Sequence, residues 1–560
     1  MILLHSNDIH ENMESQSSYA AGPVDEPVVL APWTRSWLWH PALIVFISSA
    51  CMMVLELVAG RIIAPYVGVS LYTWTSVIGV ILAGMSLGNY MGGRLADRWA
   101  SLGLLGIIFL LGGLFSLGIM AADVLGSRMP NSWPIVLRIL GLTVALFFLP
   151  SSILGGVSPI VVKLAVRDLA KTGRTVGKIS AAGAVGSIVG TFATGFWLIS
   201  AFGTHVIVWG VAAVLLLVAL LFGVAGRRNA APLGKGAALL LGTLIIAGAS
   251  MVAVRQGWLQ SPCTLETNYF CIKVRSDTRD GEPVRVLILD RLVHSYSSLT
   301  NPAKLVYGYE QVYAEATEYA HQVLAQEGRE DRDLRALFIG GGGYTFPRYM
   351  EAKYPDSALD VVEIDPGVTQ VAHDLLGLRP DSGIVTYNED ARLFMEDAPS
   401  KAYNLIMGDA FNDYSVPYHL TTREFNDRVR SWLTGDGLYM VNLIDGPRRD
   451  FLRSYAHTLG QSFSHVYIVP AVRSWRESPR VTFVLIATET ALDMAAFKGI
   501  GGGQNFFTDQ VLSPAEATAL LAEGRAVTLT DHYAPVDQML APVFRDEEAP
   551  QSEPSGKPAQ

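Results

Sequence analysis

The sequence predicts two folds in series: a multi-pass α-helical membrane domain, then an α/β domain on a parallel, doubly wound sheet that opens with a small β-strand region. Three observations predict this. Most of the first 255 residues are apolar, in runs long enough to cross a bilayer. After residue 256 the apolar period changes to alternation, and strands then alternate with helices. Within that second half lies "RALFIGGGGYTFPRYMEAKYPDSALDVVEIDP", residues 335–366, which reads as strand, four glycines, helix and a second strand ending in acids.

At 560 residues the chain has room for two or three domains. Half its residues are hydrophobic, 17% are charged, and the mean hydropathy is +0.31. The net charge of −9 argues against a nucleic-acid partner, because phosphate binding needs a basic face. Residues 1–36 are expected to be a disordered cytoplasmic tail, acidic at Asp8, Glu11, Glu14, Asp25 and Glu26. They lack the basic start and short apolar core of a signal peptide. The tail 546–560, rich in Pro, Glu and Ser, is expected to be disordered too.

Residues 37–255 form the predicted membrane domain of about seven helices, at 38–62, 71–93, 101–122, 133–165, 177–200, 204–226 and 236–254. The expected partner is the lipid bilayer, and the expected location a bacterial-type inner membrane. The fourth run is overlong and holds Pro150 and Pro159, so it reads as one kinked helix or two short ones. The fifth carries Gly186 and Gly190, a GxxxG pair that lets helices pack closely. Glu56 and Arg61 sit near the end of the first run. Charges in a span are costly, so they are functional, interfacial, or paired with another span. "GNYMGGRLADR", residues 88–98, loosely resembles the loop between the second and third helices of major facilitator transporters.

Basic residues follow spans two (Arg94, Arg98), four (Lys163, Arg167, Lys171, Arg174, Lys178) and six (Arg227, Arg228, Lys235). If span four is single, all three clusters share the cytoplasmic side. Seven spans would then put the second half outside the cytoplasm. Cys263 and Cys271 flank two short strand-like runs and either meet across a hairpin or are separate buried thiols. A disulfide there needs an oxidising compartment. Nucleotide cofactors are normally kept in the cytoplasm, so the two indications conflict.

Residues 256–330 are predicted to be the small strand region and a helix, and 331–545 the main α/β domain. "TNYFCIKVRS" and "VRVLILDRLVHSYSS" read as antiparallel strands around "TRDGEP", followed by a helix over 303–327. Strands follow at 335–340, 359–364, 383–387, 403–408 and 437–444, then in "SHVYIVP" and "RVTFVLIAT". A doubly wound sheet places ligand at the carboxyl ends of its strands. Gly340, Gly341, Gly342 and Gly343 let the backbone approach a ligand at a helix N-terminus. The pattern is GxGxxT, with Thr345 where a dinucleotide fingerprint has Gly or Ala. Glu363 follows the second strand at the position whose acid grips ribose hydroxyls. Asp365 precedes Pro366 and reads as a turn residue. Asp390 either meets an adenine amino group or caps the helix starting at Ala391. Asp409 ends the fourth strand, beside the bound ligand, and Asp413, Tyr414 and His419 share its loop.

These segments together resemble the spermidine synthase (polyamine aminopropyltransferase) family, in its branch with a multi-pass domain in front. The carriers are "ETNYFCIKV", "LILDRLVHSY", "YGYEQVY", "FIGGGGYTFPRYM", "VVEIDP", "NEDAR", "GDAFNDYSVPYHLTTREF" and "LTDHYAPVDQML". The resemblance implies a Rossmann-like, class I methyltransferase-type fold. It also implies aminopropyl transfer from decarboxylated S-adenosylmethionine, or S-adenosylmethionine itself, to a polyamine such as putrescine, releasing methylthioadenosine. The donor is a co-substrate, and no permanent cofactor or metal is expected. By resemblance Asp409 is the proton acceptor. Gly340, Gly341, Gly342, Glu363, Asp390 and Ala391 hold the donor, and Tyr309, His294 and Asp413 meet the amine. The resemblance leaves room for a homodimer.

Three departures fall on the amine side. Gly343 replaces an acid, His294 replaces a Gln, and Asp413 stands one residue further from Asp409 than the family's second acid. Two rival readings stay open: another S-adenosylmethionine enzyme (a lyase or methyltransferase), and a transporter whose soluble domain senses adenosyl ligands or polyamines.

Overall fold

The computed structural model describes residues 40–130, 133–166, 168–225, 232–326, 328, 334–396, 402–410, 416–500 and 507–540. The expected tails 1–36 and 546–560, Asp413, Tyr414, Arg167, Arg227 and Arg228 lie outside the described residues.

The helices before residue 256 are α1 (Pro41–Val67), α2 (Leu71–Trp99), α3 (Leu102–Ala121), α4 (Ile135–Ala165), α5 (Leu169–Leu198), α6 (Thr204–Ala225) and α7 (Pro232–Arg255), with a short helix at Ala122–Arg128. Among the described residues, α1 to α6 are long and apolar enough to cross a membrane, and Leu240–Arg255 within α7 is a shorter apolar helix. The overlong fourth run is continuous. Val144–Phe148 forms one π-helical turn, and Pro150 follows it in the first turn of the next segment. Proline lacks the N–H that an α-helix needs there, and a widened turn absorbs the mismatch without ending the helix. "GNYMGGRLADR" is not a loop. It lies in the last turns of α2, beyond which Ser101 caps α3.

Small residues set how these helices meet. A Cβ on Gly186 or Gly190 of α5 would come within 2.3 Å of the Phe46 carbonyl oxygen and 2.5 Å of the Ala50 carbonyl oxygen in α1. A Cβ on Gly88 of α2 would reach 2.0 Å from the Ser152 carbonyl oxygen in α4. These glycines bring the helix backbones into direct contact, the close approach that small residues permit. Leu82, Ile107, Leu114, Ile188 and Phe196 point outward and are exposed. The C-terminal ends of α2 and α4 lie side by side, joined by a 3.0 Å Asp97–Lys163 ion pair.

The second half holds two sheets. The first is antiparallel, in the order β1 (Leu265–Glu266), β2 (Cys271–Arg279), β3 (Glu282–Leu289), β4 (Leu292–Ser298). The stretch expected as one strand after "TRDGEP" is two. Asp290 turns the chain at φ 53°, as Asp280 and Gly281 do at φ 49° and 80° in the first hairpin. The following helix, α8 (Gly308–Gln326), starts five residues later than the pattern predicts. The Glu310 carboxylate accepts the Tyr307 N–H at 3.2 Å, which fixes the start there.

The main domain is a seven-stranded mixed sheet of the Rossmann-like, class I methyltransferase type. In chain order its elements are β5 (Arg335–Ile339), α9 (Thr345–Lys353), β6 (Ala358–Val362), α10 (Pro366–Leu375), β7 (Val385–Tyr387), α11 (Ala391–Phe394), β8 (Tyr403–Gly408), α12 (Arg423–Trp432), β9 (Leu433–Asp445), α13 (Asp450–Ser462), β10 (His465–Pro470) and β11 (Val481–Thr488). The sheet order is β10-β11-β9-β8-β5-β6-β7; β11 alone runs against its neighbours β9 and β10. Leu337, Val361, Leu405, Met440 and Val484 are buried in its core. The carboxyl ends of β5, β6 and β8 meet at one edge and carry the candidate site.

Candidate active site

The glycine loop follows β5, and its first residue is fixed by a close approach. Gly340 has φ +96°, and a Cβ on it would stand 2.5 Å from the Asp409 carbonyl oxygen. Only glycine permits both. The Asp409 N–H donates to the Ile339 carbonyl at 2.9 Å, so the ends of β5 and β8 are locked together. Glu363 lies just past β6. Its carboxylate accepts the N–H groups of Gly341 (2.8 Å), Gly342 (3.1 Å) and Asp365 (3.0 Å). Burial pushes its carboxyl upward, and those three N–H groups oppose the shift. A carboxylate offers about four lone-pair positions, so one stays open for a donor such as a ribose hydroxyl.

Asp409 sits at the end of β8. Its Oδ1 accepts the Asn442 amide at 2.8 Å from β9, and the Tyr309 hydroxyl donates to the same carboxylate. Burial drives its carboxyl up, against those two bonds and the nearby charge of His294. Sequence elements far apart thus converge, since Tyr309 is on α8 and His294 on β4. Tyr309 continues a row of rings, with Tyr296–Tyr307, Tyr307–Tyr309 and Tyr309–Tyr313 centroids 5.2, 5.5 and 5.6 Å apart. Such faces attract cations. Glu310 is buried close by, its carboxyl pushed up to about 8 by burial.

Asp390 caps α11, accepting the N–H groups of Arg392 (2.8 Å) and Leu393 (3.2 Å). Its other oxygen lies 3.2 Å from His419 Nε2, which ties the rim to the loop after β8. Ala391, the next residue, is buried. Asp365 likewise caps α10 through the Gly367 N–H at 2.9 Å.

Gly343 has a steric cause. A Cβ there would fall 1.9 Å from Ser295 Oγ and 3.0 Å from Ser297 Oγ, both on β4. No acid fits at this position unless β4 moves. The Ser295 hydroxyl is buried and, among the described residues, has no hydrogen-bond partner. His294 bonds the Leu292 carbonyl through Nδ1 at 2.9 Å, where the β3–β4 register slips.

Two residues at the site escape motif reading. Asn442 lies inside "GLYMVNLID", and its signal was the lone amide in an apolar strand, which must find a buried partner. Glu310 has the sequence context of an ordinary first-turn helix acid. Arg61 also changes meaning. Its guanidinium donates to the backbone carbonyls of Thr267 and Tyr269 in the second half.

No protein-family model matches the chain. A polyamine aminopropyltransferase of Vibrio vulnificus (strain CMCP6) is 37% identical over 126 residues, 22% of this chain and 42% of that protein. The chain therefore spans less than half the length of that relative. Polyamine aminopropyltransferase 1 of Streptomyces coelicolor is 25% identical over 449 residues, 75% of this chain and 79% of that one. That alignment is too long to lie within either half alone. A probable spermidine synthase from Corynebacterium glutamicum ATCC 13032 superposes with a TM-score of 0.41 at 20% identity, covering 48% of this chain and 95% of that one. In sequence the chain is similar to polyamine aminopropyltransferases, over a short segment at 37% identity and over most of its length at 25%.

Proposed function

We propose that the protein is a membrane-embedded aminopropyltransferase, moving the aminopropyl group of decarboxylated S-adenosylmethionine to a polyamine such as putrescine. The observation that carries this is Asp409, a buried carboxylate held by Tyr309 and Asn442 beside the glycine loop. In the reaction an amine nitrogen attacks the aminopropyl carbon next to the sulfonium. The C–N bond forms, the C–S bond breaks with its electron pair going to sulfur, and methylthioadenosine leaves as a neutral thioether. The attacking nitrogen must first lose a proton, since alkylamines have pKa near ~10. Asp409 takes it. A carboxyl raised by burial is a stronger base than an ordinary one once ionised. Its bonds from Tyr309 and Asn442 fix which oxygen faces the amine. The Asn442 Oδ1, which has no hydrogen-bond partner among the described residues, offers a further acceptor for an N–H of the incoming ammonium.

Glu363 is assigned to the ribose, Gly340–Gly342 to the donor's thioadenosine, and Asp390 with Ala391 to the adenine edge. Tyr309 and His294 are assigned to the acceptor. The packing of Ser295 against Gly343 supports an amine side different from that of relatives with an acid there. α1 to α6 are read as crossing a bacterial-type inner membrane, with the basic ends of α2 and α4 on the cytoplasmic face. A crossing α7 then sets the catalytic domain on the opposite face, which suits a Cys263–Cys271 disulfide.

The test separates binding from chemistry. Asp409→Asn in the full chain, purified in detergent, is expected to lower turnover by about 10²- to 10⁴-fold. Methylthioadenosine should bind it as it binds the wild type. Turnover within about twofold of wild type would remove Asp409 from the base role.

A further inference from the structure

The segment between Cys263 and Cys271 joins the membrane helices to the donor site. The two sulfurs are bonded, with Cα atoms 5.3 Å apart, so the segment is a closed loop. Its polar contacts run in two directions. Toward the helices, the Glu266 carboxylate accepts the Thr204 N–H at 2.8 Å and its hydroxyl at 3.2 Å, capping α6. Arg61, near the end of α1, donates to the carbonyls of Thr267 and Tyr269. Toward the sheet, the Thr267 hydroxyl donates to Asp365 Oδ2 at 2.5 Å.

That last bond reaches the site in one step. The Asp365 N–H donates to Glu363 Oε1 at 3.0 Å, and the other Glu363 oxygen holds the glycine loop. The Thr267 hydroxyl also accepts the N–H groups of Tyr269 (3.1 Å) and Phe270 (2.9 Å), so it sets the loop's own shape. Gly367 at the start of α10 leaves the room this needs. A Cβ there would stand 2.3 Å from the Thr267 methyl.

We propose that Arg61 and Thr267 are positioning residues for the donor site, through which α1 holds the carboxylate of Glu363 in place for the ribose. The inference rests on the reading of Glu363 as the ribose acid. A carboxylate fixed by three N–H groups loses its aim if one of them shifts, and Asp365 carries one of the three. Arg61 suits the task because its rigid fork presents a separate nitrogen to each of two carbonyls in a fixed geometry, where a lysine offers one rotatable ammonium on a flexible stem.

The experiment measures binding of two probes, methylthioadenosine and free adenine, to the full chain in detergent by calorimetry. Adenine lacks the ribose. Thr267→Val keeps the shape and removes the hydroxyl; Thr267→Ser keeps the hydroxyl and removes a methyl. Thr267→Val and Arg61→Lys are each expected to weaken methylthioadenosine about tenfold, the size of one lost charge-assisted bond, and leave adenine unchanged. Thr267→Ser is expected to bind both as wild type does. Three outcomes overturn the inference: Thr267→Val binding methylthioadenosine as tightly as wild type, both probes weakening together, or Thr267→Ser failing where Thr267→Val succeeds. Wild type that binds adenine but not methylthioadenosine overturns the reading of Glu363 itself, and the inference with it.

Discussion

At the scale of single residues, the acids divide by how deeply they are held. Glu310 is the sharpest case, buried and pushed up to about 8. Its folded-state value lies above its unfolded one, so between the two the folded protein keeps a proton that the unfolded chain has released. The stability it contributes is fully present below about 4.5 and is lost as pH rises through about 8. Glu310→Gln should therefore flatten part of the stability profile. Denaturation midpoints of the full chain at pH about 5 and about 8 should fall more steeply with pH in wild type than in the variant. Equal slopes would mean that Glu310 does not hold its proton. Asp409 is also raised by burial, so the acid limb of the activity profile should sit above the ordinary carboxylate range. The places of Glu363 and Asp409, each directly after a strand, were legible in the sequence because the apolar run of each strand stops there. Asn442 and Glu310 were not, because nothing local marks a side chain whose partner lies on another element. Asp390 shows the limit of local reading: its capping bonds are visible, while its pairing with His419 comes from a loop 29 residues away.

At the scale of elements, the glycines carry the clearest consequences. Gly343→Ala would drive a Cβ into Ser295 on β4, at 1.9 Å from its hydroxyl oxygen. The expected cost is about 1–3 kcal/mol of stability, the usual range for overpacking. Adding Ser295→Gly should recover part of it, because the two positions touch and their effects are not additive. Independent effects would show that the loop and β4 are not packed as described. The strands and most helices were legible because alternation and apolar runs set them. What failed locally failed for local reasons. The second hairpin turn at Asp290–Arg291 was hidden inside an apolar run that an aspartate in the left-handed region can break. The start of α8 was moved by a capping carboxylate. Length and apolar composition marked seven runs, of which six are, among the described residues, helices long and apolar enough to cross a membrane, whereas the choice between one helix and two at Ile135–Ala165 needed the π-turn before Pro150.

At the scale of the whole molecule, a cysteine-closed loop links the helical bundle to the seven-stranded sheet. A continuous α4 keeps the basic ends of α2 and α4 on one face, and the Asp97–Lys163 pair shows those ends side by side. If the catalytic domain lies on the opposite face, an impermeant thiol reagent should label Cys263 and Cys271 on intact cells after reduction. Labelling without reductant, and only after permeabilisation, would put the domain in the cytoplasm. The central claim, however, is chemical. The measurement that tests it most directly is chromatography of products from the purified full chain given decarboxylated S-adenosylmethionine and putrescine, with S-adenosylmethionine in parallel. Methylthioadenosine formed only when the amine is present is the predicted result. S-adenosylhomocysteine instead, or no product from either donor despite measurable binding, would contradict the account.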